Sequence, residues 1–461
     1  MKQRISIGEF LEQNEEFEFQ VPEYFESKRL IGRLQERFRR FKSTFWSAGA
    51  DEAQPWQKHR DAIVAAARDV PAYAGIDWQQ AEYWRDIPLL SKQELRARAK
   101  DYVSRRYDKP QLWHRDTSGT SGPPLPIWYA PEYAFEFYLF AECKVAWVAD
   151  AWTPEMMARP VLSAALVDKK SLSNLVWMCP DDSRGLTIRT VYDERSPGAP
   201  DALIELLAKH RPAILSLKPN ILGSITSGAD QRRDIAADYL ELVISGGAIL
   251  TDDVRRSAQQ ALGAAVYDVY GLTEIGSVAS ECKCQQGLHV FENDVIAEVL
   301  TADGSLQRTG SGELVLSSVS NDAMPLLRYR TGDVAELTRE TCACGRPGLR
   351  IVNFVGRAIR NYLLADGSEF APTNFNELFK RFPIREFQIT QVDSRTLQAL
   401  IEPFQPLASD AQRRSSSAGD PGLLEQVRQY MTRELRCLAE VEVSATTFSP
   451  GDKLQRFRSL I

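Results

Sequence analysis

The stretch from Leu242 to Glu274 constrains the fold more than any other. Leu242-Val243-Ile244 is a short apolar run that ends in Ser245-Gly246-Gly247. Thr251-Asp252-Asp253 then reads as a helix start, a hydroxyl that caps the first turn followed by two acids at the positive end of the helix dipole, and the helix runs to about Leu262. Ala265 to Val269 reads as a second strand, and Tyr270-Gly271-Leu272-Thr273-Glu274 leaves its end. This is a βαβ unit with two loops at strand carboxyl ends, where open α/β sheets take their ligands. The fold class is therefore α/β. A tyrosine face at such a position can stack on a base, and a threonine hydroxyl and a glutamate suit phosphate and Mg²⁺.

Two further segments carry chemistry. Thr117-Ser118-Gly119-Thr120-Ser121-Gly122 offers backbone N–H groups and small hydroxyls to an anion, with glycines that permit close approach. It lacks the Gly-Lys-Ser/Thr ending of a Walker loop. Pro123 and Pro124 follow, and Ile127-Trp128-Tyr129 reads as a strand, so a glycine loop between strands is expected. Met324 to Asp333 contains Tyr329-Arg330-Thr331-Gly332-Asp333, where Asp333 is expected to follow a tight turn and to offer a carboxylate to a ribose, with Arg328 and Arg330 bringing positive charge near phosphates.

These three segments, in this order, resemble the adenylate-forming superfamily of acyl-CoA synthetases, adenylation domains and luciferases, and within it the phenylacetate–CoA ligase-like branch. The resemblance runs from about residue 80 to the C-terminus: Thr117 to Gly122 match the phosphate loop, Ser245-Gly246-Gly247-Ala248 the adenine-pocket strand end, and Tyr270 to Glu274 and Tyr329 to Asp333 the two later motifs. It implies a large N-terminal adenylation domain of layered sheets and helices, residues 1–356, and a small mobile C-terminal α/β domain, residues 357–461, hinged at Gly356-Arg357. It implies that Thr117, Ser118, Gly119, Thr120, Ser121 and Gly122 hold the ATP phosphates. Ser245, Gly246, Gly247, Ala248, Tyr270 and Gly271 would border the adenine, Thr273 would touch phosphate, Glu274 would hold Mg²⁺, and Asp333 would bind the ribose with Arg357 nearby. Lys453, in the tail Ser449 to Phe457, matches the lysine that stabilises charge on the attacked phosphate.

The implied reaction has two steps. A carboxylate, in this branch often aromatic, attacks Mg·ATP to give an acyl-adenylate and pyrophosphate; the small domain then rotates and a nucleophile, usually the thiol of coenzyme A, takes the acyl group. Two departures stand out. Pro123, Pro124 and Pro126 occupy the stretch where the phosphate loop usually continues with a lysine, and Ile359, then Arg360 and Asn361, stand where the hinge usually carries an aspartate. The hinge departure keeps other acceptors open: a carrier-protein thiol, an amine or a hydroxyl, with a non-catalytic nucleotide-binding protein as the reading from another class.

Cysteines form a second constellation. Cys282-Lys283-Cys284 and Cys342-Ala343-Cys344-Gly345-Arg346, with His289 between them, fit a tetrahedral Zn²⁺ site. The branch resembled carries similar segments, which implies Cys282, His289, Cys342 and Cys344 as ligands of a structural ion; Cys284 can stand in for His289. Free thiols are the alternative, and a disulfide framework suits a chain this large poorly.

The remaining features bound the class. Hydrophobic residues at 44% and charged residues at 26% are those of a globular protein, and the net charge of −6 argues against a nucleic-acid partner. There is no signal-peptide-like apolar core near Met1 and no apolar run long enough to span a bilayer, so a cytoplasmic protein without membrane insertion is expected, as a possible homodimer. Residues 1–75 read as mostly helical, and Arg29 to Lys42 as a helix packed on its own domain with a solvated basic face. Residues 131–149, with Tyr133, Phe135, Phe137, Tyr138, Phe140 and Trp147, read as an amphipathic helix whose aromatics border an acyl pocket or simply pack a core. Residues 212–223 read as strand, turn and helix start, with Lys218 and Asn220 near a strand carboxyl end. Past the hinge, strands near 386–392 and 397–402 and a helix near 421–436 are expected, with a loop at 413–419.

Overall fold

The structure is a computed structural model, described for residues 19–20, 28–46, 55–79, 86–108, 112–117, 125–130, 133, 141–166, 174–178, 184–192, 198–226, 235–318, 320–357, 362–370, 372, 375, 378–382, 384–403, 421–446 and 457–460. Its main element is a fourteen-stranded sheet with two halves of different character. In the first half, Arg184–Tyr192, Val161–Leu166, Ile214–Leu217, Leu242–Gly246 and Ala265–Leu272 lie side by side and parallel. In the second, Gly276–Glu281, Leu288–Val290, Arg350–Arg357, Tyr329–Thr338, Gly310–Ser318, Val295–Leu300 and Leu306–Gln307 follow as antiparallel neighbours. The halves are joined by the hairpin from Ala265–Leu272 into Gly276–Glu281.

The parallel half is covered on both faces, which is why its strands are near-continuously apolar. Val243 and Val266 point into a cluster with Leu203, Leu222, Val254 and Ala258 from the helices Ala199–His210, Pro219–Thr226 and Asp252–Leu262. Ile244 and Tyr267, one residue on, point the other way, into Phe38, Phe41, Cys143 and Val145 from the helices Lys28–Thr44 and Ala141–Val148. The first of these helices is the expected basic one. Phe41 stacks among Phe38, Phe45 and Phe291, Lys42 lies 4.1 Å over the Trp152 ring, and Arg39 and Arg40 face solvent. It is a helix packed on its own domain.

Local chemistry places the βαβ unit as expected. Thr251 Oγ1 accepts the Val254 N–H at 3.3 Å, and Gly263 (φ +67°) ends the helix by donating its N–H to Gln259 O at 3.0 Å. Two strand ends differ from expectation. The strand from Ala265 does not stop at Val269 but continues through Tyr270 and Gly271 to Leu272, because Gly276–Ser280 pairs with it. Asp333 does not follow a turn between strands; Tyr329–Thr338 is one strand, and Thr331 to Asp333 form an irregularity in its pairing with Gly310–Ser318, centred on Gly332 at φ +76°.

The later residues build a separate four-stranded sheet in the order Glu440–Ala445, Thr396–Pro403, Ile384–Asp393, Phe457–Ser459, covered by the helix Pro421–Glu434. Its core, with Phe387, Ile389, Val427, Met431 and Phe457, draws on residues from Tyr362 to Phe457. The loop expected at 413–419 lies outside the described residues. No helix among the described residues is long and apolar enough to cross a membrane.

Candidate active site

The seam between the two halves of the sheet is where the segments Tyr270–Glu274 and Tyr329–Asp333 meet. Gly271 lies in the last parallel strand where a Cβ would come within 2.7 Å of Gly276 O, so only glycine lets the hairpin close this tightly. Thr273 and Glu274 form the turn, and Tyr129 and Tyr133 hold it by donating their hydroxyls to Thr273 O and Ile275 O. Across the sheet, Tyr270 donates its hydroxyl to Asp333 Oδ2 at 2.8 Å, and Tyr329 donates its own to Glu274 Oε1 at 2.9 Å. The first residue of each segment therefore bonds the last residue of the other.

Both carboxylates are set rigidly. Glu274 is 4% exposed and Asp333 6%. The Asp333 N–H donates to Thr331 Oγ1 at 3.0 Å, and Thr331 donates on to Leu314 O at 2.9 Å. Arg357, of which the backbone is described, pairs directly with Asp333 in the neighbouring strand. The Tyr270 ring rests on Phe354 at 5.0 Å. The two arginines expected to bring charge near phosphates are both engaged by protein groups. Arg330 forks onto Glu313 at 2.6 and 3.1 Å, which also accepts the Gly332 N–H at 3.2 Å; Arg328 is buried and donates to Ile87 O at 2.7 Å. Their neighbours were distant in sequence, so spacing could not reveal them.

One residue at this site escaped the sequence entirely. Lys92 Nζ donates to Glu274 Oε1 at 2.9 Å. The only local signal was a helix start, Ser91 accepting the Glu94 N–H at 3.1 Å, and it carries no hint of a partner 182 residues away. Both contacts to Glu274 fall on Oε1, and no contact among the described residues is drawn to Oε2. A buried carboxylate with one oxygen anchored and the other open fits a hard cation such as Mg²⁺.

At the neighbouring strand end, Gly246 sits so close to Val269 that a Cβ would stand 2.5 Å from its Cγ2 and 2.7 Å from its carbonyl oxygen. Gly247 takes φ +81° and lies beside Lys218, whose Cε is 3.9 Å from the place of a Gly247 Cβ. Ser245 is buried and its Oγ has no partner among the described residues, while Ala248 is exposed. Thr117 anchors the base of the glycine loop: its N–H donates to Leu125 O at 2.9 Å and its Oγ1 accepts the Leu125 N–H at 3.1 Å. The strands on either side, Trp113–Asp116 and Pro126–Tyr129, pair antiparallel as expected. Ser118, Gly119, Thr120, Ser121 and Gly122 lie outside the described residues, as do Ile359, Lys453 and the aromatics Phe135, Phe137, Tyr138 and Phe140. Tyr133 packs in the core beside Tyr129.

Cys282, His289, Cys342 and Cys344 come together, their ligand atoms all within 4.8 Å of one another. Cys282 Sγ and Cys342 Sγ are 3.7 Å apart, and Cys344 Sγ and His289 Nε2 are 3.7 Å apart. Sulfurs bound to a tetrahedral Zn²⁺ stand about 3.8 Å from each other, given Zn–S bonds of about 2.3 Å. Burial, helped by Arg350 and Arg346, pushes His289 down to about 4, so its ring is neutral and able to ligate. The donor set thus fits zinc, with His289 rather than Cys284 in the group, and four protein ligands leave no open position for chemistry. Trp46 packs edge-on against His289 at 5.1 Å and under Arg346 at 4.5 Å, closing the cluster beneath the basic helix.

Comparison with known proteins agrees with this geometry. Residues 183–320 match the AMP-binding enzyme family. The chain is 27% identical over 356 residues to the phenylacetate-coenzyme A ligase of Thermus thermophilus, covering 73% of this chain and 76% of that one. It is 25% identical over 364 residues to the phenylacetate-coenzyme A ligase of Escherichia coli, covering 73% and 78%. Among solved structures, 2-hydroxyisobutyryl-CoA ligase in the postadenylation state has a similar fold, with a TM-score of 0.62, 17% identity and coverage of 95% of this chain and 90% of that one.

Proposed function

The chain belongs to the adenylate-forming superfamily, on its phenylacetate–coenzyme A ligase-like branch, and from that premise we propose that it is an AMP-forming ligase that activates a ring-bearing carboxylic acid and passes it to the thiol of coenzyme A. The observation that carries this reading is the reciprocal bonding of Tyr270 to Asp333 and of Tyr329 to Glu274, which sets an aromatic ring and two buried carboxylates along one seam.

In this reading Asp333 accepts the ribose hydroxyls, with Tyr270 holding its Oδ2 so that the carboxylate is oriented before nucleotide arrives. The adenine lies between Tyr270 and the Gly246-Gly247 strand end, where the close approach of strand backbones leaves room for a flat ring. Glu274 would hold Mg²⁺, which when bound would supply charge neutralisation on the phosphates. Thr273 and the 117–122 loop hold phosphate oxygens. Lys453 contributes positive charge at the α-phosphate during acid attack. Binding supplies orientation, and fixed charges supply most of the rate. Cys282, His289, Cys342 and Cys344 would hold a structural Zn²⁺ that would tie Cys282, just after the seam hairpin, to the loop after Thr338. Residues 357–461 form the domain that moves between the two half-reactions.

A second reading, transfer to an acceptor other than coenzyme A, is favoured by one feature, Ile359 at the hinge. Pyrophosphate exchange into ATP, with a panel of aryl and arylacetic acids and no coenzyme A, tests the first step. Exchange with one acid, lost in Lys453→Ala, supports adenylation; no exchange across the panel counts against it. Thioester formation only when coenzyme A is added then separates the two acceptors.

A further inference from the structure

We infer that Arg328 is a positioning residue for the phosphate-handling edge: its buried guanidinium and its carbonyl clamp the Ile87–Ser91 segment so that Lys92 reaches Glu274. The segment has no regular secondary structure up to the helix that begins at Lys92. It is stitched to the strand Tyr329–Thr338 by three contacts. Arg328 Nη1 donates to Ile87 O at 2.7 Å, the Leu90 N–H donates to Arg328 O at 3.0 Å, and the Arg330 N–H donates to Leu90 O at 2.8 Å. Leu90 and Tyr329 form an isolated parallel bridge there. Ser91 then caps the helix and Lys92 follows at its first position, its Nζ 2.9 Å from Glu274.

Arg328 is built for this at some expense. It is 6% exposed, it stands at φ +48°, a left-handed backbone that a non-glycine residue adopts only when its surroundings over-determine it, and its own N–H is taken by Ser317 Oγ at 2.7 Å. Glu298, 2% exposed, lies 3.8 Å from its Nε, and burial pushes its carboxyl up to about 8 although the Arg328 charge pulls it down. The neighbouring Tyr329 bonds Glu274 directly, so Arg328, just before the strand, and Tyr329, its first residue, fix Glu274 by two routes, one through a clamped segment and its lysine and one through a phenol.

The inference rests on the proposed adenylation for what Lys92 does at Glu274, and its test separates the two. In ATP–pyrophosphate exchange, Lys92→Met and Arg328→Met should each lower kcat/KM for Mg·ATP by about 10–100-fold, the range for residues that orient a ligating group. The double variant should be no worse than Lys92→Met, since Arg328 acts through Lys92. Arg328→Lys should recover part of the loss; if Arg328→Met does not fold, Arg328→Lys crossed with Lys92→Met carries the same cycle. Losses that simply add overturn the inference. Amide hydrogen exchange over residues 86–97 gives a readout independent of catalysis: it should quicken in the Arg328 variants and stay unchanged in Lys92→Met. Unchanged protection in the Arg328 variants overturns the clamp. A parent protein without exchange of pyrophosphate counts against adenylation alone, and the amide exchange still decides the role of Arg328.

Discussion

Replacing Asp268 by asparagine should stabilise the protein, and more so as the pH rises. Asp268 sits in the last parallel strand, opposite Ser245 on one side and beside Glu281 on the other, where Glu281 Oε2 accepts its backbone N–H at 2.7 Å. The cation that could serve it is committed elsewhere, since Arg255 forks onto Glu281 at 2.8 and 2.9 Å. Burial first, and the Glu281 charge second, push the Asp268 carboxyl up to about 8. An aspartate in the unfolded chain titrates near ~3.9. Between those values the folded chain holds a proton that the unfolded chain has released, so stability falls as pH rises from about 4 to about 8 and levels off above, at no more than about 1.4 kcal/mol per pH unit. The ceiling over that window is about 6 kcal/mol, and an amide, which does not titrate, removes it. Unfolding entropies imply a shift of roughly 1–2 °C per kcal/mol for a body of this size. All nine tryptophans lie at or before Trp177 and none in residues 357–461, so thermal unfolding followed by tryptophan fluorescence does not report on the C-terminal sheet. The gap between Asp268→Asn and the parent should be small at pH 5 and approach about 5 °C by pH 8.5. A constant offset across pH, or a variant less stable than the parent at pH 8.5, would refute a protonated Asp268.

Three other outcomes are expected. Gly246→Ala drives a methyl into Val269 backbone and should cost about 1–3 kcal/mol of stability and weaken protection by ATP against thermal unfolding; an unshifted midpoint would show that the strands can part there. Tyr329→Phe removes one of the two anchors on Glu274 and should lower pyrophosphate exchange about tenfold with a folded protein by circular dichroism, an effect of the size of one hydrogen bond to a charged group. The purified protein should carry one equivalent of zinc by elemental analysis, lost in Cys282→Ser and retained in Cys284→Ser; retention in both would sink the ligand assignment.

What could be read from residues alone was whatever is decided locally. The βαβ unit was legible because Thr251 and Gly263 cap a helix whose ends need nothing distant. The strands and helix of the C-terminal sheet were legible for the same reason, their alternation and helical period being complete within each segment. The cysteine cluster was legible as a set because few side chains ligate zinc, yet the choice of His289 over Cys284 needed the pairing of Leu288–Val290 with Gly276–Glu281. Strand ends at Val269 and before Asp333 were misjudged because a glycine signals a turn whether the strand ends or only buckles, and the neighbouring strand decides which. Arg328 and Arg330 could be read only as positive charge, without their partners, and Lys92 could not be assigned at all. Their partners, Glu313, Ile87 and Glu274, are brought to them by the sheet order.

That sheet order also schedules the birth of the site on the ribosome. Glu274 is bonded by Lys92, made 182 residues earlier, and by Tyr329, made 55 residues later. The Lys92 segment itself docks on the Tyr329 strand, so neither anchor is in place until translation has passed the second half of the sheet. At about 5–20 residues per second the wait is several seconds. Throughout it the nascent chain holds a completed parallel layer and its hairpin with a naked strand edge at Leu288–Val290, whose partner strand Arg350–Arg357 is made last, and slowing synthesis between residues 290 and 357 should lengthen the period in which that edge is open to the wrong neighbour.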